Sequence, residues 1–449
     1  MMAENTDIRL RNAVIYSVFV RNYSVEGTFD AVRQDVDRIK ALGTDIVWLM
    51  PIHPIGELAR KGTCGSPYAI KDYREVNPDY GTLDDFKALV DAIHGAGMKC
   101  IIDVVYNHTS PDSVLSKESP AWFYRREDGG FGNKVGDWSD IIDLDYTHAA
   151  LWDYQIETLK YWATIVDGFR CDVASLVPVD FWIRARAEVE RVHPGCIWLA
   201  ESVEPDFISY NRSHGIEAWS DGELYRAFDM EYEYDSFGYY RDYINKTSSL
   251  RTYADTLNRQ EASYPGNYVK ARFLENHDNK RAALMLGTSE VWSNWTAFVY
   301  FNKGATLIYN GQETGTAHRP ELFEKDPIDW SSPETGIFSD YMARLASIKK
   351  NVIPANGAYN VTALEETSLA AVYSDVDRPG RIVLGIFRVG GEHRIADLWQ
   401  AKTADGISVN EYFPDGTYTN LIDGSTFDIC QGSIQADVEP VIVEGFRQG

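Results

Sequence analysis

The stretch from Ile165 to Val177, IVDGFRCDVASLV, is apolar except where Arg170 and Asp172 fall two residues apart. Period-two alternation places Phe169, Cys171 and Val173 on one face of an extended strand, and Arg170, Asp172 and Ala174 on the other. A guanidinium beside a carboxylate in a core strand serves equally as a structural ion pair or as part of a reactive site. Other apolar runs end in the same way. CIWLAES carries Glu201 near its end, ARFLENHD closes on Asp278, and CIIDVVYNH closes on Asn107 and His108. Gathering three carboxylates costs free energy, and folding gains nothing from it. Chemistry does gain. Cleaving a glycosidic bond needs one carboxylate as nucleophile or base and one carboxylic acid to protonate the leaving oxygen.

Groups this far apart in sequence converge if each ends a strand of one closed sheet. Eight β-branched runs supply the strands: VIYSVFV (14–20), DIVWLMP (45–51), CIIDVVYNH (100–108) and DGFRCDVA (167–174), then CIWLAES (196–202), AFDMEYEYD (227–235), ARFLENHD (271–278) and GATLIYNG (304–311). Helical spacing lies between them. Phe86, Leu89, Val90 and Ile93 follow Thr82, an N-cap with Asp85 three residues on, and Gly95 and Gly97 stop that helix. Phe29, Val32, Val36 and Ile39 predict a single helix before Gly43. Eight such alternations over roughly 350 residues predict a closed parallel barrel, with its site at the C-terminal strand ends. A doubly wound open sheet is the rival, and no Gly-rich fingerprint follows the first strand to support its nucleotide-binding form.

Two segments break the rhythm. Residues 109–145 form a polar, Gly-containing excursion after the third strand. From about residue 355, runs such as LAAVYSDV, GRIVLGIFRV and PVIVEGF alternate with turn pairs such as Asp415-Gly416 and Asp423-Gly424. The expected fold is therefore α/β: a (β/α)8 barrel in two parts (1–108 and 146–354), a small inserted domain (109–145) and a C-terminal antiparallel β-sandwich (355–449).

Composition narrows the partners. Of 449 residues, 44% are hydrophobic, enough for a large core, and 43 basic against 67 acidic residues leave a formal charge of −24. That surface repels nucleic acid and anionic membranes and leaves a neutral small molecule or polymer as the expected ligand. The 12 Trp and 27 Tyr suit flat hydroxylated ligands or a large core. Cys64, Cys100, Cys171, Cys196 and Cys430 show no C-x-x-C spacing, and their odd number argues for free thiols in a reducing compartment. The start has no apolar signal core and no run reaches membrane-spanning length, so a cytoplasmic location is expected, with secretion after removal of a leader as the alternative. Nothing in the pattern sets an oligomeric state.

DVVYNH (103–108), GFRCDVA (168–174), LAES (199–202) and ENHD (275–278) resemble, in order, the four signature regions of the α-amylase family of glycoside hydrolases, family 13. GSPYAIKDY (65–73), IIDLD (141–145) and GATLIYNGQETG (304–315) resemble its secondary regions, and the similarity covers residues 12–350. The resemblance implies the same barrel, inserted domain and sandwich, and retention of anomeric configuration by double displacement. It makes Asp172 the nucleophile, Glu201 the general acid and then base, and Asp278 the stabiliser of the oxocarbenium-like transition state. The first two carboxyls would lie roughly 5–5.5 Å apart. Arg170 would keep Asp172 ionised, while Glu201 must hold its proton. His108 and His277 match positions that hydrogen-bond hydroxyls of the cleaved sugar, and Tyr68 matches the ring on which it stacks. Taken alone, a His is a satisfied core residue and a Tyr simple packing. Alternation puts His108 opposite Asp103, so the third strand must end or bulge between them. Asp103 reads as a structural partner of Arg170 or of the strand ends rather than a catalyst, and Glu204 as a solvated loop residue.

The chemistry requires no cofactor. Many secreted members of the family carry a structural calcium between barrel and inserted domain; Asn107 matches one ligand and Asp143 sits where another could arise. Leu176 replaces the family's metal-binding His and could donate only its backbone carbonyl, so a structural calcium is left open rather than expected. Ser175 replaces a Lys common in endo-acting amylases, and DVASLVPVDFW is similar to intracellular maltodextrin- and cyclodextrin-degrading members. The expected activity is hydrolysis of α-1,4-glucosidic bonds in starch, maltodextrins or malto-oligosaccharides. The alternatives are maltogenic or cyclomaltodextrinase-like action, oligo-1,6-glucosidase action, glucan transfer, and a non-catalytic sugar-binding barrel, which would typically have lost an acid. Trp122, Phe123, Tyr124 and Trp138 in the excursion are either sugar platforms or hinge packing.

Overall fold

The structure is a computed structural model that describes residues 3, 5–135, 138–332, 335–391, 396–435 and 439–447. Met1, Met2 and Glu4 lie outside the described residues, as do 136–137 of the excursion, 333–334, and 392–395, 436–438 and 448–449 of the C-terminal segment.

All eight apolar runs overlap barrel strands: β1 (Val14–Val18), β2 (Ile46–Leu49), β3 (Lys99–Val104), β4 (Gly168–Cys171), β5 (Ile197–Ala200), β6 (Met230–Tyr232), β7 (Lys270–Arg272) and β8 (Ala305–Tyr309). They close in the order β1-β8-β7-β6-β5-β4-β3-β2, every pairing parallel. Strands covered by helices outside and by filled layers inside are buried on both faces, which is why they read as nearly unbroken apolar runs.

The helix Leu83–Gly95 starts at Thr82 with a capping box: Asp85 N donates to Thr82 Oγ1 (3.2 Å) and Thr82 N to Asp85 Oδ2 (2.8 Å). The helix expected over Phe29–Ile39 is instead two, Phe29–Gln34 and Val36–Ala41, broken at Asp35 (φ −109°, ψ 8°). The cause is a polar tether. The Asp35 carboxylate accepts from the Tyr23 hydroxyl and from Arg38 Nε (2.6 Å), and Arg38 Nη1 reaches on to Glu313 (2.7 Å). Both pieces keep the expected phase, with Phe29, Val32, Val36 and Ile39 buried.

The run 100–108 also divides. β3 stops at Val104, and His108–Thr109 pairs antiparallel with Ile142–Asp143 in the excursion. After the barrel come β9 (Ala358–Leu364), β10 (Ser368–Ser374), β11 (Arg381–Phe387), β12 (Ala396–Asp397), β13 (Gly416–Thr419), β14 (Thr426–Cys430), β15 (Ser433–Gln435) and β16 (Val441–Phe446). They form two antiparallel sheets, β9-β10-β11-β16 and β12-β15-β14-β13, with Leu384, Ile386, Leu398, Ile429 and Ile434 packed in one cluster. All five cysteines are free, and Cys100, Cys171 and Cys196 are buried as small hydrophobes. Among the described residues no helix is long and apolar enough to cross a membrane.

Candidate active site

Asp172 and Glu201 each stand one residue beyond a barrel strand. Asp172 N donates to Val104 O and Glu201 N to Cys171 O, both at 3.0 Å, so the ladder continues one step past β4 and β5. Together with Asp278 they line one cleft of about 320 Å³, with Tyr68, His108 and His277 on its walls.

Strict alternation fails just here. β4 ends at Cys171, and Val173 adopts a left-handed conformation (φ 41°, ψ 44°) rather than joining Phe169 and Cys171 on the outer face. A β-branched residue in that region costs about 1–2 kcal/mol. The turn presents the Val173 N–H to Glu201 Oε2 at 2.7 Å. Val173 thereby holds one carboxyl oxygen of Glu201, a role the sequence pattern did not reveal.

Arg170 is fully buried and organises the pole of the barrel. Its Nη1 donates to Asp103 Oδ1 (2.9 Å), Asp103 Oδ2 (3.0 Å) and Asp172 Oδ1 (2.7 Å), and its Nη2 lies 3.0 Å from Glu201 Oε2. The rings of Trp48, Tyr232 and Tyr68 surround the guanidinium at 5.1, 5.4 and 5.7 Å, a cation–π setting that helps a desolvated cation. Asp103 is thus the partner of Arg170 and also accepts from the Tyr68 hydroxyl (3.2 Å); burial raises its pKa to about 7 against the pull of Arg170. The contact between Arg170 and Glu201 was not foreseen, and it means one cation serves three carboxyls.

Asp278 lies beyond β7 on a turn built by Asn276, whose Oδ1 accepts from the backbone N–H groups of Asp278 (3.0 Å) and Asn279 (3.1 Å). Arg319 Nη1 donates to the Asp278 carbonyl (2.9 Å). His277 Nε2 lies 2.7 Å from the Tyr68 hydroxyl and 3.2 Å from Asp278 Oδ2, and the Tyr68 and His277 rings stack at 5.3 Å. Burial lowers the His277 pKa, so the ring is neutral near pH 7. His108, carried by its short strand outside β3, places Nε2 4.0 Å from Asp172 Oδ2.

Glu204 lies outside the cleft, 3.5 Å from Arg241 at the start of the helix Pro205–Ser213. Of the five aromatics in the excursion, Trp138 alone lines the cleft, 5.8 Å from His108. Trp122 packs on Tyr154, Phe123 on Phe131, and Tyr124 faces Lys134. Lys61, Asp140, Leu322 and Phe323 also wall the cleft. They belong to loops without periodicity, so only the Gly and Pro punctuation around them was visible in the sequence.

Asn107 and Asp143 meet in a separate cavity of about 140 Å³ that Lys134, Asp145, Leu176 and Glu217 also line. Asp143 Oδ2 accepts from the Lys134 N–H (2.7 Å), and its Oδ1 is buried without a hydrogen-bond partner. Leu176 offers no side-chain donor, a lysine shares the cavity, and among the described residues no group of three or more His, Cys, Asp and Glu is placed to hold a metal. A hard cation takes six to eight oxygens; Asn107, Asp143, Asp145 and Glu217 bring side-chain oxygens to this cavity and Leu176 brings none.

Burial raises the pKa of Glu201 well above the ordinary glutamate range; Arg170 opposes the shift, while Asp172 and Asp278 reinforce it. In the general-acid role that the resemblance implies for Glu201 the carboxyl must carry its proton, so activity should fall as pH rises through this elevated value. The alkaline limb of kcat/KM is expected well above the ~4.3 of a free glutamate. In Glu201→Gln the limb should vanish from the residual reaction with an α-glycosyl fluoride, which needs no acid; a limb that persists there would assign it to another group.

A family model described as alpha amylase, catalytic domain, matches residues 5–134 and 115–353, and one described as bacterial alpha amylase C-terminal domain matches residues 360–443. An α-amylase structure from Lactobacillus plantarum is 46% identical, covering 98% of this chain and 100% of that one with a TM-score of 0.89. A noncanonic maltogenic α-amylase, AmyB from Thermotoga neapolitana, is 33% identical, covering 98% and 100% with a TM-score of 0.84. The α-amylase MalA of Haloarcula japonica is 26% identical over 75% of this chain and 48% of that protein. The chain spans about half the length of the curated relatives it matches.

Proposed function

The chain belongs to the α-amylase family, and from that premise we propose that it is a retaining hydrolase of α-1,4-glucosidic bonds in starch, maltodextrins or malto-oligosaccharides. The observation that carries this reading is the single guanidinium of Arg170 touching both Asp172 and Glu201 on a cleft shared with Asp278. One guanidinium between two carboxyls keeps them close, as a retaining pair requires.

Asp172 Oδ1 is held by Arg170, which leaves Oδ2 to attack the anomeric carbon. The bond to the leaving oxygen breaks as Glu201 transfers its proton to that oxygen, and a glycosyl ester forms on Asp172. Glu201, now a carboxylate, takes a proton from water as the water oxygen attacks the same carbon and releases Asp172. Asp278 stabilises the positive charge on the ring in both transition states. Tyr68 provides the stacking face, and His108 and His277 bind ring hydroxyls. The chemistry needs no cofactor. In this reading the ligand is a neutral α-glucan, and the chain divides into a barrel (1–108 and 146–354), an inserted domain (109–145) and a sandwich (355–449).

Product analysis after incubation with maltotriose, isomaltose, pullulan, cyclodextrin and sucrose tests the assignment. Release of glucose or maltose from maltotriose with isomaltose untouched is expected. The maltogenic relative favours a second reading, in which maltose is the main product and sugar competes with water for the intermediate. Chains longer than maltotriose appearing in the digest would select it, and cleavage of isomaltose alone would replace both readings with α-1,6 action.

A further inference from the structure

Three loops at the cleft mouth are tied to one another. Lys61 Nζ, in the loop after β2, pairs with Asp140 Oδ1 of the excursion at 2.9 Å, and both line the cleft. The same loop is fastened to the loop after β8: Cys64 N donates to Phe323 O (3.0 Å), Thr63 N to Glu324 Oε1 (3.0 Å), and the Thr63 hydroxyl to Glu324 Oε2. At Gly62 (φ +63°) a Cβ would come within 2.6 Å of Phe323 O, so the two backbones touch. Arg21, in the segment after β1, is buried and spends its guanidinium on the carbonyls of Gly65 (2.9 Å), Leu322 (3.1 Å) and Cys64 (3.2 Å). A guanidinium that bonds carbonyls of both loops serves to position them against each other.

The barrel order says which end of the cleft this closes. In the ring β1-β8-β7-β6-β5-β4-β3-β2, β1 stands opposite β5, and Glu201 follows β5. The acid protonates the oxygen of the departing chain, so that chain leaves on the Glu201 side. The part of the substrate kept on Asp172 points toward the opposite rim, where the loops after β1, β2 and β8 are joined.

We propose that the Lys61–Asp140 pair, with the loops bound behind it, is an end wall on the glycone side, which makes the enzyme release short α-glucans of one length from non-reducing ends. This rests on the hydrolase reading above. Asp140 is buried (7% exposed) and Lys61 one-third exposed, so the pair is a closed strut rather than a solvated surface bridge.

The test uses maltoheptaose labelled at its reducing end. The wild-type enzyme should shorten the labelled chain in one dominant step from the earliest time points. Lys61→Ala should turn that step into a ladder, with longer released fragments rising about tenfold relative to the shortest, and Lys61→Arg should restore the single step. Because Lys61→Ala leaves a buried carboxylate unpaired, the double variant Lys61→Met/Asp140→Asn removes the strut without a stranded charge and should give the same ladder. A ladder from the wild type, or an unchanged step size in the folded double variant, overturns the proposal. No cleavage by the wild type would instead defeat the hydrolase reading.

Discussion

Asp172→Asn is expected to lower kcat on malto-oligosaccharides by about 10,000-fold or more, roughly 5–6 kcal/mol of barrier, while the folded state persists. The amide oxygen can still accept from Arg170, so the strand end keeps its partner, but no oxygen nucleophile remains for the anomeric carbon. Glu201→Gln should lose turnover on the same substrates for a different reason: the leaving oxygen departs without a proton. An α-glycosyl fluoride needs none, so Glu201→Gln should still be glycosylated and then stall, because no base activates the water. Mass spectrometry of the stalled protein should find one glycosyl unit on Asp172. Undiminished turnover in Asp172→Asn, or a label on any other residue, would end the double-displacement assignment.

Arg170→Met should be among the most destabilising substitutions available. It removes the one cation that Asp103, Asp172 and Glu201 touch, and it does so where the guanidinium is fully buried. Breaking a buried ion pair from one side typically costs 3–5 kcal/mol because the partner charge is left uncompensated. The carboxyls can relieve part of that only by taking up protons, which disarms the nucleophile. A denaturant midpoint well below that of Asp172→Asn is therefore expected, with kcat reduced at least about 100-fold. Arg170→Lys should not rescue either quantity, since a compact ammonium cannot address three carboxyls at once. An Arg170→Met protein as stable as the wild type would show that the rings of Trp48, Tyr68 and Tyr232, rather than the ions, carry the packing at this pole.

Much of this arrangement was readable in advance, and the reasons are local. β-branched runs with helical spacing between them announce strands and helices whatever their neighbours do, so all eight barrel strands and the capped helix after Thr82 lie where the pattern puts them. AFDMEYEYD contributes only Met230–Tyr232, yet it falls at its expected place in the ring. The helix over Phe29–Ile39 was misjudged as continuous because periodicity reports the buried face and is blind to a tether at Asp35 that involves Tyr23, Arg38 and a glutamate far along the chain.

The sequence by itself determined which residue types stand at the strand ends, and therefore that Asp172, Glu201 and Asp278 share a rim; Tyr68, His108 and His277 joined them through the resemblance to the family. It also gave Asp103 a structural place beside Arg170 or the strand ends, and the structure pairs it with Arg170. Only the tertiary structure decided how the acids are held. Val173 turns left-handed to offer its N–H to Glu201, Arg170 reaches a third carboxyl, and Lys61 meets Asp140 across two loops. Alternation and helical spacing are properties of one segment, set by its own backbone geometry. Loop crossings and shared ion partners are set by where distant segments end in space, and no period in a single segment records that.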